Sequence, residues 1–290
     1  FTQYEPLSSL IVAFSLSPEL IRQKFEIRTP SLEARLKTVQ FALDRGFKVR
    51  LCFDPVLIHP DWNDAYEPFF HQVFHRIDPQ RLIDIVSKAG GVSFIAHPYD
   101  PELKALGEEN ISWVDWDVRG FTGLELWNAM SEMKSVVHGK LDGFFYTLFP
   151  QRIARGPHPS VLKIWDDLLR SGLRVAVVGG SDAHAFHMRL GPLRKTVFPY
   201  AFHFRAINTH ILTERPLSGN MEDDQQMVLD ALRRGHAFVG YDLPAPTRGF
   251  RFAGQAKEGN VSIGDEVRMG NGVTLQIRLP AKCECNLLCD

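Results

Sequence analysis

Short apolar runs alternate with segments of helical periodicity along most of this 290-residue chain, and that rhythm restricts its fold more than any other feature. Ile11–Leu16, Phe47–Phe53, Val92–Ala96, Gly123–Trp127, Leu173–Val178, Asn208–Leu212 and Ala237–Tyr241 read as strands. Between them, Ser31 caps a helix in which Leu32, Leu36, Val39 and Leu43 recur at helical spacing before Gly46 stops it. Asp78 caps another, with Pro79 at its first position and Leu82, Ile83, Val86 and Ala89 on the buried face. Helical signals also run around Ala65–Phe74, Met133–Thr147, Pro159–Arg170 and Met221–Arg234. Strand–helix alternation predicts an α/β fold of parallel strands joined by helical crossovers. After Pro244-Ala245-Pro246 the rhythm changes. Thr247–Lys257, Val267–Met269, Val273–Leu279 and Glu284–Leu288 read as strands with no helix between them, which predicts an appended antiparallel β unit.

Composition narrows the classes. Lys+Arg 33 against Asp+Glu 34 leaves a net charge of -1, so no basic excess draws the chain to nucleic acid in general. Hydrophobic residues at 44% supply enough apolar material for buried cores, which excludes a disordered chain. No apolar run approaches the roughly 18 residues that a membrane span needs. The length predicts about two domains. The four cysteines are Cys52 and the C-terminal group Cys283, Cys285 and Cys289. They show no metal-clip spacing, and they read as packed or incidental thiols in a reducing, cytoplasmic compartment. Phe1 in place of Met, with no leader-like segment after it, and an end at Asp290 inside an apolar stretch lead us to expect that both ends are cut.

Three predicted strands end in groups that bind metals or move protons. Phe94-Ile95-Ala96-His97-Pro98 pushes an imidazole out at a strand tip, and the proline fixes the exit of the chain. Gly123-Leu124-Glu125-Leu126-Trp127-Asn128 carries a carboxylate within an apolar strand. Gly179-Gly180-Ser181-Asp182-Ala183-His184 turns tightly on its glycines and sets Asp182 and His184 two apart, on one side of an extended stretch. In parallel α/β folds chemistry collects at the C-terminal ends of strands. Imidazole and carboxylate together suit a divalent metal such as zinc, manganese or iron, which lowers the pKa of a water and polarises an ester or phosphate oxygen. Each residue also has a structural reading. His97 is then a core or capping group, Asp182 the cap of a following helix, Glu125 a buried partner of an arginine, and His184 a surface residue on that helix.

From about Ile77 onward these motifs resemble the PHP (polymerase and histidinol phosphatase) family of metal-dependent phosphoesterases. The resemblance implies a partial, distorted β/α barrel over residues 76–245 and a truncated β-rich domain over 246–290. It implies that His97 ligates one divalent ion, that Asp182 and His184 ligate another, and that Glu125 and Asn128 line the site. The implied substrate is a small-molecule or nucleotide phosphate ester, attacked by a metal-activated hydroxide. Arg189, Arg194 and Lys195 follow closely enough to meet a phosphate, or to form a solvated helix or loop face. Whether nucleic acid is a substrate stays open.

The sequence departs from the family in one respect: it contains no His-x-His. Upstream of His97 stand only His59, His71 and His75; the last two, four apart, read as solvated histidines on one helix face. Residues 11–74 instead resemble the later part of spore photoproduct lyase, a radical-SAM enzyme. The resemblance rests on Phe14-Ser15-Leu16-Ser17, Lys24-Phe25-Glu26, Ser31 to Leu36 and Ile58-His59-Pro60-Asp61-Trp62. Cys52 is the only cysteine there, so no iron–sulfur cluster forms in this stretch. The reading of residues 1–75 is therefore a lyase-like β/α segment joined near Phe74–Asp78 to a partial phosphoesterase. Three functions follow as expectations. The first is a metal-dependent phosphoesterase, weak or inactive for want of its N-terminal ligands. The second is a radical-SAM DNA-repair lyase fragment. The third is a non-catalytic binding module.

Overall fold

In the computed structural model the sequence is described at residues 5–6, 10–53, 65–66, 68–70, 72–73, 78–104, 107–190, 193–257, 259–268 and 272–287. For 140, 186–190, 193 and 195 the description covers the backbone. The chain divides into two units, Phe1–Leu82 and Ile83–Asp290.

In the first unit, β1 (Ile11–Ser15) pairs in parallel with β2 (Lys48–Cys52), with Ile11 opposite Lys48 and Ser15 opposite Cys52. Parallel neighbours need a crossover, here made by α1 (Glu19–Phe25) and α2 (Leu32–Asp44). Ser31 accepts the Ala34 N–H and so takes up one of the free donors at the start of α2. Leu32, Leu36, Val39 and Ala42 are its buried stripe. Gly46, at φ +84°, turns the chain out of the helix in the left-handed region that glycine tolerates. The core joins Leu16, Ile21, Leu32 and Leu36 to Ala65, Tyr66, Phe69 and Val73. His59, His71 and His75 lie outside the described residues.

The second unit is built on a parallel sheet in the order β3-β4-β5, with β3 at Phe94–Ile95, β4 at Gly123–Asn128 and β5 at Ala176–Gly180. The helix α3 (Pro79–Lys88) begins as read, with Asp78 Oδ1 accepting the Gln80 N–H at 3.0 Å. Ile83, Ile95, Leu124, Val161 and Val175 form the core on this sheet. Strand β5 starts later than its apolar run, because Leu173 N–H still closes the preceding helix onto Leu168 O. That helix, α6 (Pro159–Arg170), follows α4 (Ala129–Val136) and α5 (Lys140–Leu148). The single helical stretch expected over 133–147 is thus two helices, broken where Val137 leaves helical geometry at ψ 106°.

Three expectations need correction. After His184 the chain forms an antiparallel hairpin, β6 (Phe186–Leu190) with β7 (Leu193–Val197), not a helix. After the short α7 (Tyr200–His203), β8 (Ile207–Ile211) and β9 (Ala237–Tyr241) pair antiparallel even though α8 (Met221–Arg234) connects them. The described strands make separate open sheets and close no barrel. One reason lies at the edge of β5. The Thr209 hydroxyl accepts the Gly179 N–H at 2.9 Å and donates to Gly179 O at 2.8 Å, in place of ladder bonds from a further strand. The antiparallel tail is present as β11-β10-β12, but its strands are β10 (Arg251–Ala256), β11 (Gly259–Ser262) and β12 (Thr274–Arg278). Residues 267–268 and 284–287 carry no strand. No helix among the described residues is long and apolar enough to cross a membrane.

Candidate functional site

The parallel register of β3, β4 and β5 brings the three sequence motifs to one end of one sheet. A bulge in β4 between Glu125 and Trp127 sits where the strand meets the site. Such irregularities re-aim side chains, and here Glu125 Oε2 accepts the His97 N–H at 2.8 Å and the Asn128 amide at 3.0 Å. Asn128 works in both directions, since its Oδ1 also caps α4 by accepting the Met130 and Ser131 N–H groups at 2.9 Å. Gly180 leaves room for the carboxylate: a Cβ there would lie 3.3 Å from Glu125 Oε1. Burial raises the pKa of Glu125, and the neighbouring Asp182 carboxylate raises it further, against the donors from Asn128 and His97.

His97 and Asp182 both hold left-handed backbone, at φ 30° and 46°. Among the described residues only Arg28 and Phe198 share a positive φ without being glycine. Side chains with a Cβ resist this region, and such strain gathers at functional sites. His97 Nδ1 is buried without a hydrogen-bond partner. His184, in contrast, is 60% exposed, and its Nδ1 lies 2.7 Å from Asp182 O and 3.5 Å from Asp182 Oδ1. A carbonyl only accepts, so Nδ1 carries the hydrogen.

Three residues to which the sequence reading gave no role shape the site. Ser181 donates to His203 O at 2.6 Å and accepts the Ile207 N–H, tying the end of β5 to α7 and β8. His203 is fully buried, its pKa is lowered by that burial, and its Nε2 donates to His184 O at 3.2 Å. Glu132 is buried beside the site and accepts Trp127 Nε1–H and the Arg155 and Gly156 N–H groups, while burial raises its pKa. A cavity of about 20 Å³, room for one water, is lined by His97, Glu125, Asn128, Glu132 and His158.

The donors are of the kinds a divalent metal accepts. They do not meet in one place: among the described residues no three His, Cys, Asp or Glu side chains form a group able to hold a metal ion. His97, Asp182 and His184 are not gathered into such a group. Arg194 is exposed on the β6–β7 hairpin, and the side chains of Arg189 and Lys195 lie outside the described residues. A larger groove of about 530 Å³ lies at the other end, beside α8 and His236. Its Arg215, Arg234 and His236 pair with Asp224, Glu214 and Asp265.

A second polar cluster closes the end of β9. Asp242 Oδ2 meets His210 Nε2 at 2.8 Å and the Asn208 amide at 3.0 Å, while Oδ1 accepts the Thr247 N–H at 2.7 Å and hydroxyl at 2.6 Å. Partial burial opposes ionisation of Asp242, but the Thr247 donors and His210 outweigh it and hold the carboxyl at about 2. A depressed carboxylate stabilises the fold above its unfolded pKa of about 4 and loses that contribution as pH falls through its folded value. The stability advantage of the native chain over Asp242→Asn should therefore shrink by about 1 kcal/mol on acidification from about pH 5 to about pH 2, after allowing for solvent screening. Urea unfolding across that range checks it, and a pH-independent difference would contradict the assignment.

Compared with family models, with characterised proteins and with solved structures, the chain matches none.

Proposed function

We propose that the strand-end cluster belongs to a metal-dependent phosphoesterase of PHP type, and that the parallel sheet is part of a distorted β/α barrel of that family. In this reading His97 offers a donor to one divalent ion, Asp182 and His184 offer donors to another, and Glu125 and Asn128 line the substrate side. The observation that carries it is the pairing of strained backbone with ligand-type side chains. His97 and Asp182 follow two strands of one parallel sheet, both at positive φ, with the raised-pKa carboxylate of Glu125 on the strand between them.

A divalent zinc, manganese or iron ion would lower the pKa of a water and polarise the phosphate ester. The chain's own groups do the rest. Glu125, whose pKa is raised by burial, is suited to accept or return a proton. Asn128, fixed by its bonds to Glu125 and α4, keeps that carboxylate aimed. Because the sequence contains no His-x-His to supply the family's N-terminal ligands, turnover is expected to be weak.

The functional test is hydrolysis of a simple aryl phosphomonoester by the full chain with added manganese. The expected result is slow hydrolysis that falls at least about tenfold in Glu125→Gln, since a positioned acid–base group contributes at least that much. Hydrolysis equal in the two proteins would remove Glu125 from the reaction.

A further inference from the structure

We propose that His158 is a substrate-binding residue that presents a neutral Nε2–H donor to an oxygen of the phosphate group bound at the strand-end site. The inference rests on the phosphoesterase reading for the identity of the ligand. Its geometry is independent of that reading.

His158 is the N-cap of α6, and its Nδ1 accepts the Ser160 N–H at 3.2 Å. A ring nitrogen that accepts carries no hydrogen, so the hydrogen of the neutral ring sits on Nε2. Among the described residues Nε2 has no protein partner. Burial lowers the pKa of the ring and favours the neutral form. Tyr99 stacks on it with ring centroids 4.1 Å apart and planes 15° apart, which fixes the ring plane. Tyr99 follows His97 by two residues, so the same segment that carries His97 holds His158. Both histidines line the small cavity with Glu125 and Asn128.

The sequence explains the choice of residue. A serine, threonine or aspartate would cap α6 at least as well. None of them would cap the helix and also present a second, opposed nitrogen. Histidine does both, and Pro159 at the first helical position presets the turn that aims it.

The test uses the full chain and the His158→Asn variant. Asparagine retains a strong N-cap but lacks the Nε2–H. Calorimetry with inorganic phosphate, with manganese present, is expected to show a Kd at least about tenfold weaker in His158→Asn at an unchanged Tm, the size of one hydrogen bond to a charged group. Nitrogen NMR of the histidine side chains in the metal-free native chain is expected to show the Nε2–H tautomer for His158. An Nδ1–H tautomer would overturn the proposal whatever the variant does. Phosphate binding that is equal in both proteins would overturn the role of His158 and leave the phosphoesterase reading standing. A native chain that binds no phosphate would overturn that reading and the role of His158 with it.

Discussion

Replacing Gly123 by alanine is expected to lower the unfolding free energy of the second unit by about 3 kcal/mol or more. Gly123 opens β4 and pairs with Phe94 on one side and Ala176 on the other. An added Cβ would stand 2.1 Å from Ala176 O, 2.7 Å from Ala176 C and 2.8 Å from the Phe94 ring. Two of those atoms are backbone and cannot rotate away, so β4 and β5 would have to part. The same strand carries Glu125 and Asn128, so the site would shift with it. Gly143 in α5 is the control, because among the described residues a Cβ there meets only Val137 Cγ1, at 3.9 Å. Gly143→Ala should stabilise by roughly 0.5–1 kcal/mol, since alanine loses less freedom in a helix. Urea unfolding of both variants reads the contrast, and equal effects would contradict the strand packing.

Asp100→Ala is expected to cost about 3 kcal/mol, from a different cause. Asp100 is 2% exposed at its side chain and Lys134 10%, and their charged atoms lie 2.6 Å apart. Ser131 donates to the other Asp100 oxygen at 2.6 Å, and Glu108 meets Lys134 at 3.1 Å. Breaking a buried pair leaves a charge with its desolvation uncompensated, typically about 3–5 kcal/mol. The remaining Glu108 contact places this case at the lower end. Removing both charges is far milder. The double variant Asp100→Ala with Lys134→Met should recover most of the loss in thermal unfolding. A double variant as unstable as Asp100→Ala would show that packing, not charge, holds α4 in place.

What the sequence disclosed was local. The stripe Leu32, Leu36 and Val39, the Ser31 cap and the full extents of Pro159–Arg170, Met221–Arg234 and Ala237–Tyr241 are written in spacing and capping chemistry. The strand-end positions of His97, Glu125 and Asp182 were legible because glycines and a proline punctuate the strands around them. Direction was not legible. Nothing within the five residues of β8 or of β9 tells that they run antiparallel, and a connecting helix misleads. His210, Asp242 and Thr247 meet across 32 and 37 residues, a contact only the folded chain creates. The bonds of Ser181 to His203 and Ile207 were hidden for the same reason. His158 escaped because histidine is not among the usual N-caps.

The proposed phosphoesterase site stands or falls with Asp182 as a metal donor. Metal analysis of the purified full chain and of Asp182→Ala, loaded with zinc or manganese and desalted side by side, tests it most directly. Bound divalent metal is expected in the native chain and a clear loss in the variant, with Tm in the absence of metal little changed. Metal bound in equal stoichiometry by both proteins, or by neither, would contradict it.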